Sequence, residues 1–153
     1  MRRSTLIWLL MLPSEVLVGH VFRYSSLWLQ ESVAGREEGL KDRPCLVLAI
    51  VTFDEDGAAI VRVLPITHRQ PDNPSDAIEI PRAVKLRLRL DDERSWIVLT
   101  ESNRFVWPGP DLRAHDTPDG YFGAIPPALF TEVKRLFVAQ ARTRAHQSVP
   151  RTE

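Results

Sequence analysis

Cysteine is nearly absent from this sequence, since Cys45 is the only one in 153 residues. A lone cysteine cannot form an intramolecular disulfide or the paired thiolates of a zinc site, and the reducing cytoplasm is therefore the expected location. The histidines lack the spacing of metal ligands, and there is no glycine-rich phosphate-binding loop, so neither a metal nor a cofactor is expected. The histidines are His20, His68, His115 and His146.

Net charge is also lacking, because 20 Lys and Arg residues balance 20 Asp and Glu residues. A dedicated duplex-DNA-binding domain is usually strongly basic, so this composition argues against that class. An enzyme that meets nucleic acid at one local basic site stays compatible with it. The longest apolar run near the start, residues 6–12, is too short to span a bilayer, and no membrane association is expected.

The first 17 residues are interpreted as an extension ahead of the domain, or as a misassigned start with Met11 as another start. Their basic beginning imitates a signal peptide, but no small-x-small cleavage site follows. Residues 18–143 are predicted to form one domain. Residues 144–153 contain little to bury and are predicted to be a disordered tail.

Twelve prolines against seven glycines favour short strands separated by turns. The apolar stretches 43–53 and 58–68, separated by the turn sequence DEDG, predict a central hairpin. Residues 82–90, which include KLRLRL, alternate like a strand but also fit a short helix opened by Pro81. As a strand they would form a basic stripe. A solvated face is the preferred interpretation.

Residues 126–143 predict the one clear helix, because two prolines open it and apolar residues recur at helical spacing. The resulting fold class is mainly β with a C-terminal helix, arranged as a small, coiled β-barrel of about five to seven strands.

Arg43 and Pro44 stand at the mouth of the apolar strand CLVLAIV. Arginine is costly to bury without a partner, so Arg43 either faces solvent or an acid such as Asp42, or meets an anionic ligand. Lys41 lies close enough in sequence to extend the same anion-accepting patch.

Several segments, taken in order, resemble the PemK/MazF family of toxin–antitoxin ribonucleases, over about residues 18–142. They are RP at Arg43–Pro44, PIT at Pro65–Thr67, the segment SWIVLTESNRF with its acidic residue, and GAIPPALFTEVKRLF. The resemblance implies a compact SH3-like β-barrel that forms a homodimer. It also implies metal-free cleavage of single-stranded RNA and inhibition by a partner antitoxin.

The resemblance places the catalytic residues at Arg43, Thr67 and Glu101. Arg43 would stabilise the negative charge of the phosphorane, Thr67 would hold a phosphate oxygen, and Glu101 would accept a proton or orient Arg43. Glu101 has an equally favoured structural alternative, an ion pair with a nearby arginine. The second arginine of the family would fall near Leu99 and is missing here.

The remaining substrate-binding candidates are polar or aromatic residues near these positions: Lys41, His68, Asn103, Arg104, Trp28 and Trp107. His68 is the better acid–base group by chemistry, but strand alternation turns only one of Thr67 and His68 toward a given site. Aromatic residues in loops stack on unpaired bases less often than they cap a core or a dimer contact.

A non-catalytic binding module for RNA or protein is the alternative function, because a fold does not fix an activity. The leucine at position 99 is the sequence feature that favours it.

Overall fold

The structure is a computed structural model that describes residues 12–13, 15–25, 42–109, 112–115, 117–143 and 147–150. In these residues the chain is mainly β, with one long helix near the C-terminus. The strands are β1 (His20–Ser25), β2 (Asp42–Phe53), β3 (Ala59–Thr67), β4 (Ala77–Glu79), β5 (Trp96–Val98), β6 (Glu101–Val106), β7 (Leu112–Arg113), β8 (Tyr121–Ala124) and β9 (Gln147–Pro150). The helices are α1 (Arg82–Arg87) and α2 (Pro127–Thr143), and Pro74–Asp76 form a 3₁₀ turn.

The strands form one sheet with the order β4-β5-β3-β2-β1-β7, to which β6 adds beside β3, β8 beside β1 and β9 beside β6. Every pair is antiparallel except β6 with β9. The ends of this path do not pair with each other in the described ranges, so the sheet is open there. The mainly-β class with a C-terminal helix is confirmed, whereas the SH3-like barrel stays a prediction. The described ranges contain nine strands instead of the expected five to seven, because β6, β7 and β9 lie in stretches where the sequence predicted no separate strand.

The β2–β3 hairpin is confirmed, and its two strands pair along most of their length. In the connecting turn, Asp54 Oδ1 accepts hydrogen bonds from the backbone N–H groups of Asp56 and Ala58, each 2.9 Å long. Gly57 completes the turn with a φ of 85°, in the left-handed region that glycine enters without steric cost.

Alternate residues of the hairpin face two different hydrophobic clusters. The first cluster contains Leu46, Leu64 and Ile66, and it is covered by α2 and α1. The second cluster is rich in aromatic residues and consists of Phe22, Tyr24, Cys45, Val47, Val61, Val63, Phe105, Trp107, Leu112 and Tyr121. Burying each large apolar side chain contributes roughly 1.5–3 kcal/mol, so both faces of the hairpin stabilise the fold.

Helix α2 begins one residue after the predicted start. Val133 is completely buried, and Leu129 and Leu136 pack beside it against the first cluster, as their spacing predicts. The exposed side of the helix carries charged residues, among them Glu132 and Arg135, which form an ion pair. No helix in the described part of the chain is long and apolar enough to cross a membrane.

Residues 82–90 take the helical alternative. Helix α1 follows Pro81, and the backbone N–H of Val84 donates to the Pro81 carbonyl. Val84 and Leu88 are buried because residues four positions apart lie on the same side of a helix. This winding also buries Lys85, which a strand would have placed beside Arg87 and Arg89 on one basic face.

The C-terminal tail differs from the sequence expectation in one segment. Gln147–Pro150 form β9 instead of remaining disordered, and they pair in parallel with β6. The physical reason is that a strand edge presents unpaired N–H and C=O groups, which a neighbouring extended segment satisfies with its backbone alone. Apolar content, on which the disorder prediction rested, is not needed for such pairing.

Residues 15–17, just before the predicted start of the domain, also contact it. Tyr121 Oη accepts a hydrogen bond of 3.0 Å from the Leu17 N–H and donates one to the Glu15 carbonyl. Val16 and Leu17 pack against the second cluster. Packing therefore begins before Val18, inside the segment interpreted as an extension.

Candidate functional site

The central hairpin brings the start of β2 beside the end of β3, because Cys45 pairs with Pro65. Arg43 and Thr67 lie at this edge, and His68 follows directly after β3. Successive side chains of a strand point to opposite faces. In agreement with that rule, Thr67 and His68 line two different cavities.

The cavity that His68 lines, here named the His68 cavity, has a volume of about 300 Å³. The residues that line it include Arg43, Pro44, Ile66, His68, Leu90 and Asp91. The His68 side chain is 48% exposed, so a ligand can reach the imidazole from solvent. Arg43 and the accessible His68 are therefore both among the residues around one cavity.

His68 is held in place by Asp91. Its Nε2 atom lies 2.6 Å from Asp91 Oδ2, the length of a strong hydrogen bond to a carboxylate. We assign the proton of the neutral imidazole to Nε2 from this bond, which leaves a lone pair on Nδ1. Nδ1 lies 3.6 Å from Glu93 Oε1, too far for a hydrogen bond, so it is the nitrogen available for proton transfer.

Asp91 is fixed in turn by Lys85. The Lys85 Nζ donates to Asp91 Oδ1 at 2.7 Å, to Ser95 Oγ at 2.8 Å and to the Glu93 carbonyl oxygen. Lys85 is only 4% exposed, and these three acceptors match the three N–H bonds of its ammonium group. A lysine is rarely buried so completely unless it is paired. Here the pairing fixes the Asp91 oxygen that His68 does not use.

The charge of Asp91 depends on these neighbours. Desolvation by partial burial is the largest influence and alone would raise the pKa of Asp91. The hydrogen bond from Lys85 and the charges of His68 and Lys85 together outweigh it, so the pKa of Asp91 lies below its ordinary value. Asp91 is therefore ionised at neutral pH and stabilises an imidazolium that forms at His68.

The second cavity, here named the Thr67 cleft, has a volume of about 140 Å³ and lies on the other side of the β3 end. Thr67 and Glu101 both line it, together with Arg69 and Thr100. Thr67 Oγ1 accepts a hydrogen bond of 3.1 Å from the Arg69 N–H. The structure thus brings Thr67 and Glu101 together in one cleft, whereas Arg43 is among the residues that line the His68 cavity.

The remaining substrate-binding candidates divide by burial. Arg104 is exposed on β6, whereas its neighbour Asn103 is 2% exposed and is not placed to contact a base. Leu99 is fully buried in the first cluster, at the position where the resemblance would have an arginine. Lys41 and Trp28 lie outside the described residues.

Trp107 requires a correction. Its side chain is 4% exposed and belongs to the second cluster. The centroid of its ring lies 5.3 Å from that of Phe22 and 6.2 Å from that of Tyr121. A ring packed in this way offers no open face to a nucleotide base, so the alternative of an aromatic residue capping the core applies. The polar sequence WPGPD suggested exposure, but the indole folds back over the sheet.

Sequence reasoning missed Lys85 and Asp91. Lys85 was treated as part of a solvated basic face because its segment was ambiguous between strand and helix. The available signal was the helical spacing of Val84 and Leu88, which turns the intervening Lys85 partly inward. Nothing local pointed to Asp91, because its partner His68 lies 23 residues away in the chain.

No group of three His, Cys, Asp or Glu residues in the described ranges is arranged to hold a metal ion. No protein-family model, curated protein or solved structure matches the chain.

Proposed function

We propose that the chain is a toxin-like endoribonuclease that cleaves single-stranded RNA without a metal ion, and that the reaction takes place in the His68 cavity. The observation that supports this most is His68, oriented by Asp91 at 2.6 Å in the same cavity as Arg43. An imidazole and a guanidinium are the groups that phosphodiester transesterification needs. The proposal includes an SH3-like arrangement of the strands.

The proposed reaction begins with the 2′-hydroxyl of the substrate. His68 Nδ1 accepts its proton, and the 2′-oxygen attacks the adjacent phosphorus. Arg43 donates to the non-bridging oxygens and stabilises the phosphorane. The bond to the 5′-oxygen then breaks, that oxygen takes a proton from water, His68 releases the proton it accepted to water, and a 2′,3′-cyclic phosphate remains. Asp91 and Glu93 stabilise the imidazolium formed in the first step.

This scheme moves the proton-accepting role from Glu101 to His68. Thr67 precedes His68 in the chain, and the Thr67 cleft lies on the other side of the β3 end from the His68 cavity. We propose that Thr67 and Glu101 hold the nucleotide next to the scissile phosphate. Glu101 suits this position, because its carboxylate accepts hydrogen bonds from base amino groups.

The test incubates the purified chain with a long single-stranded RNA in excess EDTA and identifies the new ends. We expect 2′,3′-cyclic phosphate ends and a rate loss of about 10²–10⁴ for His68→Gln, the usual contribution of general acid–base catalysis. Asp91→Asn should lose about tenfold or more, because the imidazole is no longer oriented by a charge. Asp92→Asn is the matched control and should cleave normally. Wild-type rates in His68→Gln would reject the site.

A catalytically inactive binding module is the second candidate. The buried Leu99 favours it, because the resemblance would place a charged group there and an apolar core residue cannot stabilise a phosphorane. In the same incubation, RNA that is retarded on a native gel but stays intact at stoichiometric protein would support this function over cleavage.

We further propose that the chain acts as a homodimer and is held inactive by an antitoxin. An acidic antitoxin segment would bind at Arg43 and compete with RNA, while two-fold pairing is the commonest oligomeric arrangement. Co-expression with the products of neighbouring small reading frames tests both points. A monomer that is harmless to the cell and binds none of these products would contradict the proposal.

A further inference from the structure

Two arginines face each other across β3 and β6. Arg62 and Arg104 are direct partners in the antiparallel register, so their side chains leave the same face of the sheet. Like charges at such positions destabilise a sheet. Burial, and after it the charge of Arg104, lowers the pKa of Arg62. The pair therefore has an electrostatic cost that the fold alone does not explain.

The Arg62–Arg104 pair is also held in position. Arg62 is half-buried, and its Nη1 donates a hydrogen bond of 2.8 Å to Ser102 Oγ, while Ser102 is itself 2% exposed. Arg104 is exposed to solvent. In the part of the chain that the structure describes, no carboxylate forms an ion pair with either arginine. One guanidinium is thus fixed and its neighbour is accessible, with no carboxylate of the described residues paired to them.

We propose that the Arg62–Arg104 pair is a second anion site that binds a phosphate group of single-stranded RNA outside the His68 cavity. Two neighbouring guanidinium groups offer several N–H donors to the two non-bridging oxygens of a phosphodiester. Binding a phosphate would remove the repulsion between the arginines. The choice of RNA as ligand rests on the proposed function, whereas the need for an anion follows from the pair itself.

The distance to the reaction centre fits a polymeric ligand. His68 follows Arg62 by six positions, which is roughly 20 Å of extended strand. One RNA strand of a few nucleotides can reach from the cavity to the pair, and simultaneous contact at two places raises its affinity. We favour RNA over an acidic peptide because every nucleotide carries one negatively charged phosphate. One RNA strand can therefore place a phosphate at Arg43 and another at the Arg62–Arg104 pair.

The experiment measures binding without cleavage. A fluorescent 2′-O-methyl oligonucleotide, which lacks the attacking hydroxyl, is titrated with the full chain at several KCl concentrations. The variants are Arg104→Gln and the double variant Arg62→Gln/Arg104→Gln. The control is Arg87→Gln/Arg89→Gln, which removes the same charge from exposed residues at the end of α1. Thermal melting checks that each variant is folded, and Arg104→Gln, which loses no internal hydrogen bond, keeps the test valid if the double variant melts early.

We expect the double variant to bind about tenfold more weakly than its control, the usual effect of losing a charge-assisted contact. The slope of log K against log salt should fall by about 1, as for one lost phosphate contact. Equal affinity and slope in the double variant and control would overturn the proposal. So would a wild-type chain that does not bind the oligonucleotide, or polyglutamate binding with the same dependence on the two arginines.

The two proposals fail separately. RNA cleavage with no effect of the arginine substitutions on binding rejects only the second anion site. Arginine-dependent binding without any cleavage of natural RNA supports the anion site and rejects the endoribonuclease.

Discussion

Replacing Lys85 with methionine tests whether the buried lysine holds the site together. Methionine keeps most of the aliphatic volume and removes only the ammonium group, so the loss is confined to three hydrogen bonds. A hydrogen bond to a charged group contributes about 1.5–3 kcal/mol. The three losses do not add in full, because the Asp91 side chain is 50% exposed and regains water. Ser95 Oγ and the Glu93 carbonyl oxygen also keep a hydrogen bond to each other, in which Ser95 Oγ donates over 3.3 Å, so neither group is left without a partner.

We therefore expect Lys85→Met to lower the free energy of unfolding by about 2 kcal/mol. For a domain of this size that corresponds to a fall in Tm of about 4–8 °C. Calorimetry measures it, and Lys134→Met is the matched control, because Lys134 is exposed on α2 and should change Tm little. A Tm equal to that of the control would refute the assignment of Lys85 as a buried, hydrogen-bonded cation.

The same variant has a pH signature. The folded-state pKa of Asp91 is depressed, so its stabilisation is present above the unfolded pKa and is lost as the pH falls through the folded value. The stability difference between wild type and Lys85→Met should be largest near neutral pH and should shrink in acid, as Asp91 becomes protonated and its ion pair with Lys85 is lost. A difference that stays constant from about pH 7 to well below the ordinary aspartate range would contradict the role of Lys85.

Three further outcomes follow from other contacts. Gly123→Ala should destabilise the fold by about 1–3 kcal/mol in denaturant titrations. The added Cβ would lie 2.8 Å from Leu88 Cδ2, and the φ of Gly123 is 142°. Unchanged stability would contradict the close packing. Burial raises the pKa of Tyr121 to about 12, so stability should fall between about pH 10 and 12 in wild type but less in Tyr121→Phe; parallel curves would contradict this. Glu79→Gln breaks an exposed ion pair with Arg94, so any fall in Tm should be smaller than for Gly123→Ala and should disappear at high salt.

Local sequence was sufficient for the elements whose signals lie within a few residues. The DEDG turn between two apolar runs predicted the hairpin, and the opening prolines with helical spacing around Val133 predicted α2. Residue type also made Arg43 and His68 candidate site residues, because a guanidinium binds phosphate and an imidazole transfers protons. These conclusions depend on periodicity and residue type, which the sequence shows directly.

Tertiary structure alone decided how those residues are grouped. The helical winding of residues 82–90 buried Lys85 instead of exposing it. The hydrogen bond between His68 and Asp91 joins residues 23 positions apart, and the packing of Trp107 depends on aromatic rings from two other strands. Such contacts form only when separate elements pack together, so the physical reason for the site lies in long-range packing that no local pattern encodes.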